Sequence, residues 1–162
     1  MAPGAPGHTR IVVILAGGGG TRLWPASTPA RPKQLLQLSE RPPTTLLAAA
    51  VERARRLVPL ERIFIVTNIA LVPAVQAAVP ELAAGNILPE PRGRSTAPCV
   101  ALALLHVRQR LRERGCSEEQ VARATLAVLP ADHHIGEVDL FTALLELACE
   151  QAEEQGGIVT LG

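Results

Sequence analysis

The stretch RIVVILAGGGGTR (Arg10–Arg22) decides the fold. Arg10–Ala16 is apolar, largely β-branched and halted by glycine. A run without polar alternation reads as a strand buried on both faces, the habit of parallel sheets. The pattern recurs outward from it. Arg62–Thr67 (RIFIVT) is a second strand, Asn86–Pro89 a third, Thr125–Leu129 a fourth closed by Pro130, and Ile158–Leu161 a fifth. Helical segments lie between them. Over Thr44–Val58, Leu46, Leu47, Ala50, Val51, Ala54 and Leu57 fall on one side, with Glu52, Arg53, Arg55 and Arg56 on the other. Asn68 caps a short helix running to about Val79. Ser95 or Thr96 caps a long helix that tolerates Pro98 in its first turn and ends at Gly115. Asp139 caps a last helix to about Gln155, stopped by Gly156 and Gly157. Strands alternating with helices in this way predict a Rossmann-like, three-layer α/β/α fold with a mainly parallel sheet.

Composition narrows the classes. The chain has 162 residues, the length of about one domain, with residues 1–9 reading as a loose tail and 10–162 as the domain. Its hydrophobic share is 48%, yet it holds two Phe, one Trp and no Tyr, so the core is aliphatic. A net charge of +1 supplies no field for nucleic acid or acidic membrane. Apolar runs such as Val100–Leu105 are too short to span a bilayer, and the N-terminus makes a poor signal peptide. Cys99, Cys116 and Cys149 show neither a disulfide framework nor zinc spacing, which fits reduced thiols in a cytoplasmic protein.

In open α/β sheets, ligands bind outside the carboxyl ends of the strands. That rule selects Gly17–Gly20 with Thr21 and Arg22, then Glu90–Arg94, then Pro130–His134. Consecutive glycines let backbone N–H groups close around phosphate oxygens, although a plain flexible turn uses glycine too. Gly-Thr-Arg fails the P-loop ending, and Arg22 stands where a dinucleotide fingerprint needs glycine. Of 16 Lys and Arg residues, only Lys33 is lysine. A compact, mobile charge suits an oxyanion that moves during reaction, and equally a solvated loop. Asp132 can hold Mg²⁺ beside phosphates, or cap a turn. Glu90 can accept from two adjacent donors such as those on a guanine edge, or pair with Arg92 or Arg94. His133 and His134 suit supporting or surface roles, and His106 a structural one.

With these residues assembled, LAGGGGTRLWP followed by RPKQLL resembles the signature of sugar nucleotidyltransferases. GTRLWPAS, PKQ, EPRGRSTAPCVALA, LPADHHI and IVTLG resemble, more narrowly, the bacterial mannose-1-phosphate guanylyltransferases. The resemblance runs from about Ile11 to Gly162 and implies the nucleotide-diphospho-sugar transferase type of fold. It implies guanylyl transfer from GTP to α-D-mannose 1-phosphate, releasing pyrophosphate, with Mg²⁺ as cofactor. Leu15, Ala16, Gly17, Gly18, Gly19, Gly20 and Thr21 would then lie along the nucleotide, with Arg22 on its β/γ part. Lys33 would stabilise the reacting phosphate, so that Arg22 and Lys33 are the catalytic cations. Glu90, Arg94 and Thr96 would lie near guanine and ribose, and Asp132 would be a metal ligand. The family commonly has Asn where Ser95 stands, and its catalytic domain continues past TLG with sugar-binding residues. The chain therefore reads as an incomplete domain. An unprotected fifth strand carries the expectation of self-association. Other sugar or molybdopterin nucleotidyltransferases, and a non-catalytic nucleotide-binding module, are the alternatives.

Overall fold

The computed structural model describes residues 9–18, 24–28, 32–37, 44–92 and 95–161. Its strands are β1 (Arg10–Leu15), β2 (Ile63–Asn68), β3 (Ile87–Glu90) and β4 (Thr125–Pro130). They form one 4-stranded parallel sheet in the order β3-β2-β1-β4. The helices are α1 (Leu46–Ala54), α2 (Val72–Ala78), α3 (Thr96–Glu113), α4 (Glu118–Ala122) and α5 (Val138–Gln155). No described helix is long and apolar enough to cross a membrane.

Burial on both faces explains the unbroken apolar strands. Along β1, Val12 and Ile14 join a core with Leu47, Ala50 and Val51 of α1, Val75 of α2, and Leu145 and Cys149 of α5. Ile11 and Val13 point the other way, onto Cys99, Ala103, Val107 and Leu111 of α3 and Val121 of α4. Each fully buried Leu, Ile or Val contributes about 1.5–3 kcal/mol by leaving water. Phe64 is buried in the second cluster and Phe141 packs, partly buried, against the first, so both cores are mainly aliphatic.

Caps set the helix ends. The Thr45 hydroxyl accepts from Ala48 N at 3.0 Å, so α1 begins at Leu46. Asn68 Oδ1 accepts from Ala70 N at 2.9 Å and opens a 3₁₀ turn that leads into α2. Ser95 occupies the N-cap position of α3 but makes no side-chain cap, and its φ is 84°. The cap expected of Asp139 is not formed. Val138 is already helical, and Asp139 lies in the first turn of α5, paired with Arg56 and close to the positive end of the helix dipole. Helix α4, missed in the sequence, is short but carries a full capping box between Ser117 and Gln120.

Two expectations at the chain ends change. Thr9, expected in the tail, already accepts from Thr125 N at 3.0 Å and extends the β1–β4 ladder. The fifth strand is absent among the described residues: Ile158 is 95% exposed, and residues 158–161 join no ladder. Local β propensity does not make a strand without a partner backbone. Gly156 and Gly157, at φ 70° and 92°, turn the chain away from α5 instead. The edge strands of the described sheet are β3 and β4.

Candidate functional site

Register lines up the carboxyl ends of the strands. Leu15 pairs with both Val66 and Pro130, and Val66 pairs with Leu88. Ala16, Thr67, Pro89 and Ala131 come next, so the segments singled out by the ligand-binding rule leave the sheet along one edge.

The start of the glycine loop is pinned from two sides. The Ala16 carbonyl accepts from Gln34 Nε2 at 2.7 Å and from Thr67 Oγ1 at 3.1 Å, and Ala16 N donates to Val66 O at 2.8 Å. Gln34 and Thr67 are 2% and 0% exposed, so these bonds form away from water. Sequence reasoning missed both. A threonine ending an apolar strand and a glutamine beside the lone lysine were the available signals. Gln34 lies within the 3₁₀ turn Lys33–Leu35, so the bond that holds the loop also fixes the backbone that carries Lys33.

Glu90 closes the other side of the loop. A Cβ on Gly17 would sit 3.3 Å from Glu90 Oε2, a gap tight enough that a side chain there must displace the carboxylate. Gly18 faces open space. Glu90 thus reaches from the end of β3, across β2, to the end of β1. It is 7% exposed and also lines a cleft of about 420 Å³ with Pro91, Arg92, Pro98 and Leu102. Thr96 is the exposed first residue of α3. Beneath it, burial pushes the Cys99 thiol pKa up, and the charge of Glu90 adds to that.

Lys33 and Asp132 form an ion pair, with side chains 28% and 19% exposed. Asp132 follows Ala131, whose N–H donates to Leu15 O at 3.1 Å and carries the β4 ladder one step past the strand. The loop is held from below by Arg53, whose Nη2 donates to His133 O at 3.0 Å. Arg53, expected on the solvent face of α1, is only 8% exposed, and desolvation pushes its pKa down. Its place at the border of the apolar stripe lets the stem pack while the guanidinium reaches the loop. His133 and His134 are exposed, as expected of surface groups.

Leu15, Ala16, Gly17, Gly18 and Glu90 are therefore brought together, and Lys33 and Asp132 meet across the same edge. Gly19, Gly20, Thr21, Arg22 and Arg94 lie outside the described residues. No cluster of His, Cys, Asp and Glu among the described residues could cage a metal. One partly exposed carboxylate fits Mg²⁺, which keeps waters and takes ligands from phosphates, and does not fit an all-protein cage.

Comparison with known proteins extends this picture. The nucleotidyl transferase family model matches residues 11–162. The chain is 38% identical over 154 residues to mannose-1-phosphate guanylyltransferase 2 of Escherichia coli O157:H7, covering 94% of this chain and 30% of that protein. It is also 38% identical over 160 residues to the alginate biosynthesis protein AlgA of Pseudomonas aeruginosa, covering 94% and 29%. A crystal structure described as mannose-1-phosphate geranyltransferase from Thermus thermophilus superposes with a TM-score of 0.71 at 36% identity, over 90% of this chain and 39% of that one. The chain thus spans about 30% of the length of these curated relatives. The parallel sheet, the glycine loop at its carboxyl edge and a family match over nearly the whole sequence lead to one conclusion: the chain belongs to the nucleotidyl transferase family.

Proposed function

We propose that this chain carries the nucleotide-binding part of a mannose-1-phosphate guanylyltransferase, acting on GTP and α-D-mannose 1-phosphate. One observation carries the reading. Gly17 and Gly18, Lys33, Glu90 and Asp132 come from separate segments and meet at one edge of the sheet. The relatives' names supply the sugar and the base.

A phosphate oxygen of the sugar phosphate attacks the α-phosphorus of GTP. The bond to the β-phosphate breaks, and pyrophosphate leaves with its electron pair. The protein's task is alignment and charge neutralisation. The glycine loop offers backbone N–H groups to the phosphates from a base fixed by Gln34 and Thr67. Lys33 follows the charge as it moves from the α-phosphate to the leaving group. Asp132 would hold Mg²⁺, which when bound neutralises phosphate charge. Glu90, in the wall of the cleft, is suited to accept from the guanine edge. A nucleoside triphosphate substrate and the free thiols Cys99, Cys116 and Cys149 favour a cytoplasmic setting.

Calorimetric titration with GTP, ATP and UTP, each with Mg²⁺, tests the binding half. A pyrophosphate-release assay with GTP and mannose 1-phosphate tests the chemistry. Lys33→Ala is expected to lower turnover about a hundredfold while changing GTP affinity far less. Equal loss in both would remove Lys33 from the reacting phosphate, and equal affinity for the three nucleotides would remove guanine selectivity. The chain spans about 30% of its relatives' length, which favours a second reading, GTP binding without turnover by these residues alone. The same pair of assays separates the two.

A further inference from the structure

The sequence assigns Lys33 and Asp132 different partners, a phosphate and a metal ion. In the structure they pair with each other. We propose that the Lys33 ammonium group occupies the divalent-cation position on Asp132 until nucleotide arrives, so that the site refuses the ion alone and accepts ion and nucleotide together. The inference rests on the reading of Asp132 as the metal-holding carboxylate.

The geometry supports an exchangeable plug. With side chains 28% and 19% exposed, the pair is sheltered but open to water, so it can part without passing through a buried, unpaired state. The backbone under Lys33 does not have to move. Gln34 is 2% exposed and its amide is bonded to Ala16 O at 2.7 Å, which leaves the lysine stem as the moving part. The residue type matters as well. An arginine fork would hold a carboxylate through two parallel bonds, whereas an ammonium group on a flexible stem makes a point contact that swings away. Arg53 of α1, the arginine that bonds this loop, donates to His133 O.

Charge accounts for the coupling. A divalent ion approaching Asp132 alone meets an ammonium group already seated, and a single carboxylate offers little to displace it. Nucleotide phosphates change both sides of the exchange. They give Lys33 a new anionic partner, and they give the ion the oxygen ligands that the protein lacks. Displacement of the lysine and entry of the ion then form one step, and the charge released from Asp132 is delivered to the phosphates.

The test uses Mn²⁺ as the probe, with no nucleotide, on the ¹⁵N-labelled chain. Paramagnetic broadening of the amide signals of residues 131–134 is followed by NMR in wild type, Lys33→Met, Lys33→Arg and the double variant Lys33→Met/Asp132→Asn. In Lys33→Met, half-maximal broadening is expected at about tenfold lower Mn²⁺ than in wild type. Lys33→Arg should stay close to wild type. The double variant should lose the gain, which separates Asp132 from the neighbouring His133 and His134. A second measurement needs no substitution at Lys33. Reductive ¹³C-methylation labels the one lysine and the N-terminal amine, and the lysine methyl signal, identified by its absence in Lys33→Met, should shift in Asp132→Asn and on adding Mg²⁺ with GTP to wild type, but not with Mg²⁺ alone. Equal Mn²⁺ midpoints in wild type and Lys33→Met, or a methyl signal indifferent to Asp132→Asn, overturns the plug while leaving Asp132 as metal ligand. No broadening at residues 131–134 in any variant, with or without GTP, removes the metal reading and the plug with it.

Discussion

The carbonyl of Ala16, where the glycine loop begins, is a joint that can be taken apart one bond at a time. Gln34→Met keeps most of the side-chain volume and removes the amide that donates at 2.7 Å. Thr67→Val is isosteric and removes the hydroxyl that donates at 3.1 Å. Either change leaves the carbonyl one side-chain donor, so each should cost about 1 kcal/mol. The double change leaves the oxygen without either donor at a place where Ala16 itself is 2% exposed. A buried orphan carbonyl costs about 1–3 kcal/mol beyond the lost bonds. The double variant should therefore lose about 3–5 kcal/mol, more than the sum of the singles by about 1 kcal/mol or more. Urea unfolding followed by circular dichroism, across all four members of the cycle, reads this directly. For a chain of this length each kcal/mol also lowers Tm by about 2–4 °C. GTP titration of the same proteins adds the functional reading, with affinity falling in step with the loosened loop. Strict additivity, with a total of about 2 kcal/mol, would show that water replaces the donors and that the joint is not closed.

Other consequences are as direct. Arg10 donates to Glu153 through two bonds of 2.6 and 2.8 Å with side chains 7% and 1% exposed, so Glu153→Ala should cost about 3–5 kcal/mol by stranding a buried cation. A melting curve indistinguishable from wild type would refute that. Ser95→Gly should stabilise by about 1 kcal/mol by relieving the backbone at φ 84°, and Ser95→Ala should be near neutral because no side-chain cap is lost; loss of stability in the glycine variant would contradict the strain. Burial pushes the thiol pKa values of Cys99 and Cys149 up, so the unfolded chain releases these protons first. Stability should be full below a pH of about 8.5 and fall as pH rises from there toward the raised folded values, with a shallower fall in Cys149→Ala. Disulfide-exchange labelling at pH 7 should modify the half-buried Cys116 well before Cys99 or Cys149, and equal rates would argue against their burial.

What the sequence made legible follows from where each signal originates. β1 and β2 could be read because burial on both faces forces continuous apolar runs, and a run of that kind is visible locally; β4 is as apolar although Val128 is exposed. Glu90, Asp132 and Lys33 could be picked out because the strand-end rule and the scarcity of lysine act on the sequence itself. Their juxtaposition could not. Glu90 reaching Gly17 depends on strand order, and Lys33 facing Asp132 depends on the path of a loop. Gln34 looks like a solvated polar residue because nothing local says that a carbonyl elsewhere in the chain needs its amide. Arg53 is misplaced for the same reason, since its acceptor is the backbone of His133. The fifth strand fails in the opposite direction. Ile158–Leu161 has strand-forming residues, but pairing is supplied by a neighbour, and local propensity contains no record of one.

The central position of β1 also bears on how the protein is made. Ribosomes deliver this strand before β2, β3 and β4, yet it is flanked by β2 on one side and β4 on the other. Once Glu90 has emerged, β1, β2 and β3 can pair, while the second edge of β1 waits for Thr125–Pro130. That delay spans roughly forty residues of synthesis, on the order of two to eight seconds. Throughout it, Arg10–Leu15 presents an unpaired apolar edge to every other nascent chain nearby. Slowed translation between Glu90 and Thr125 would lengthen that exposure, so the codons for α3 and α4 fall under a pressure toward speed that neither helix imposes by its own packing.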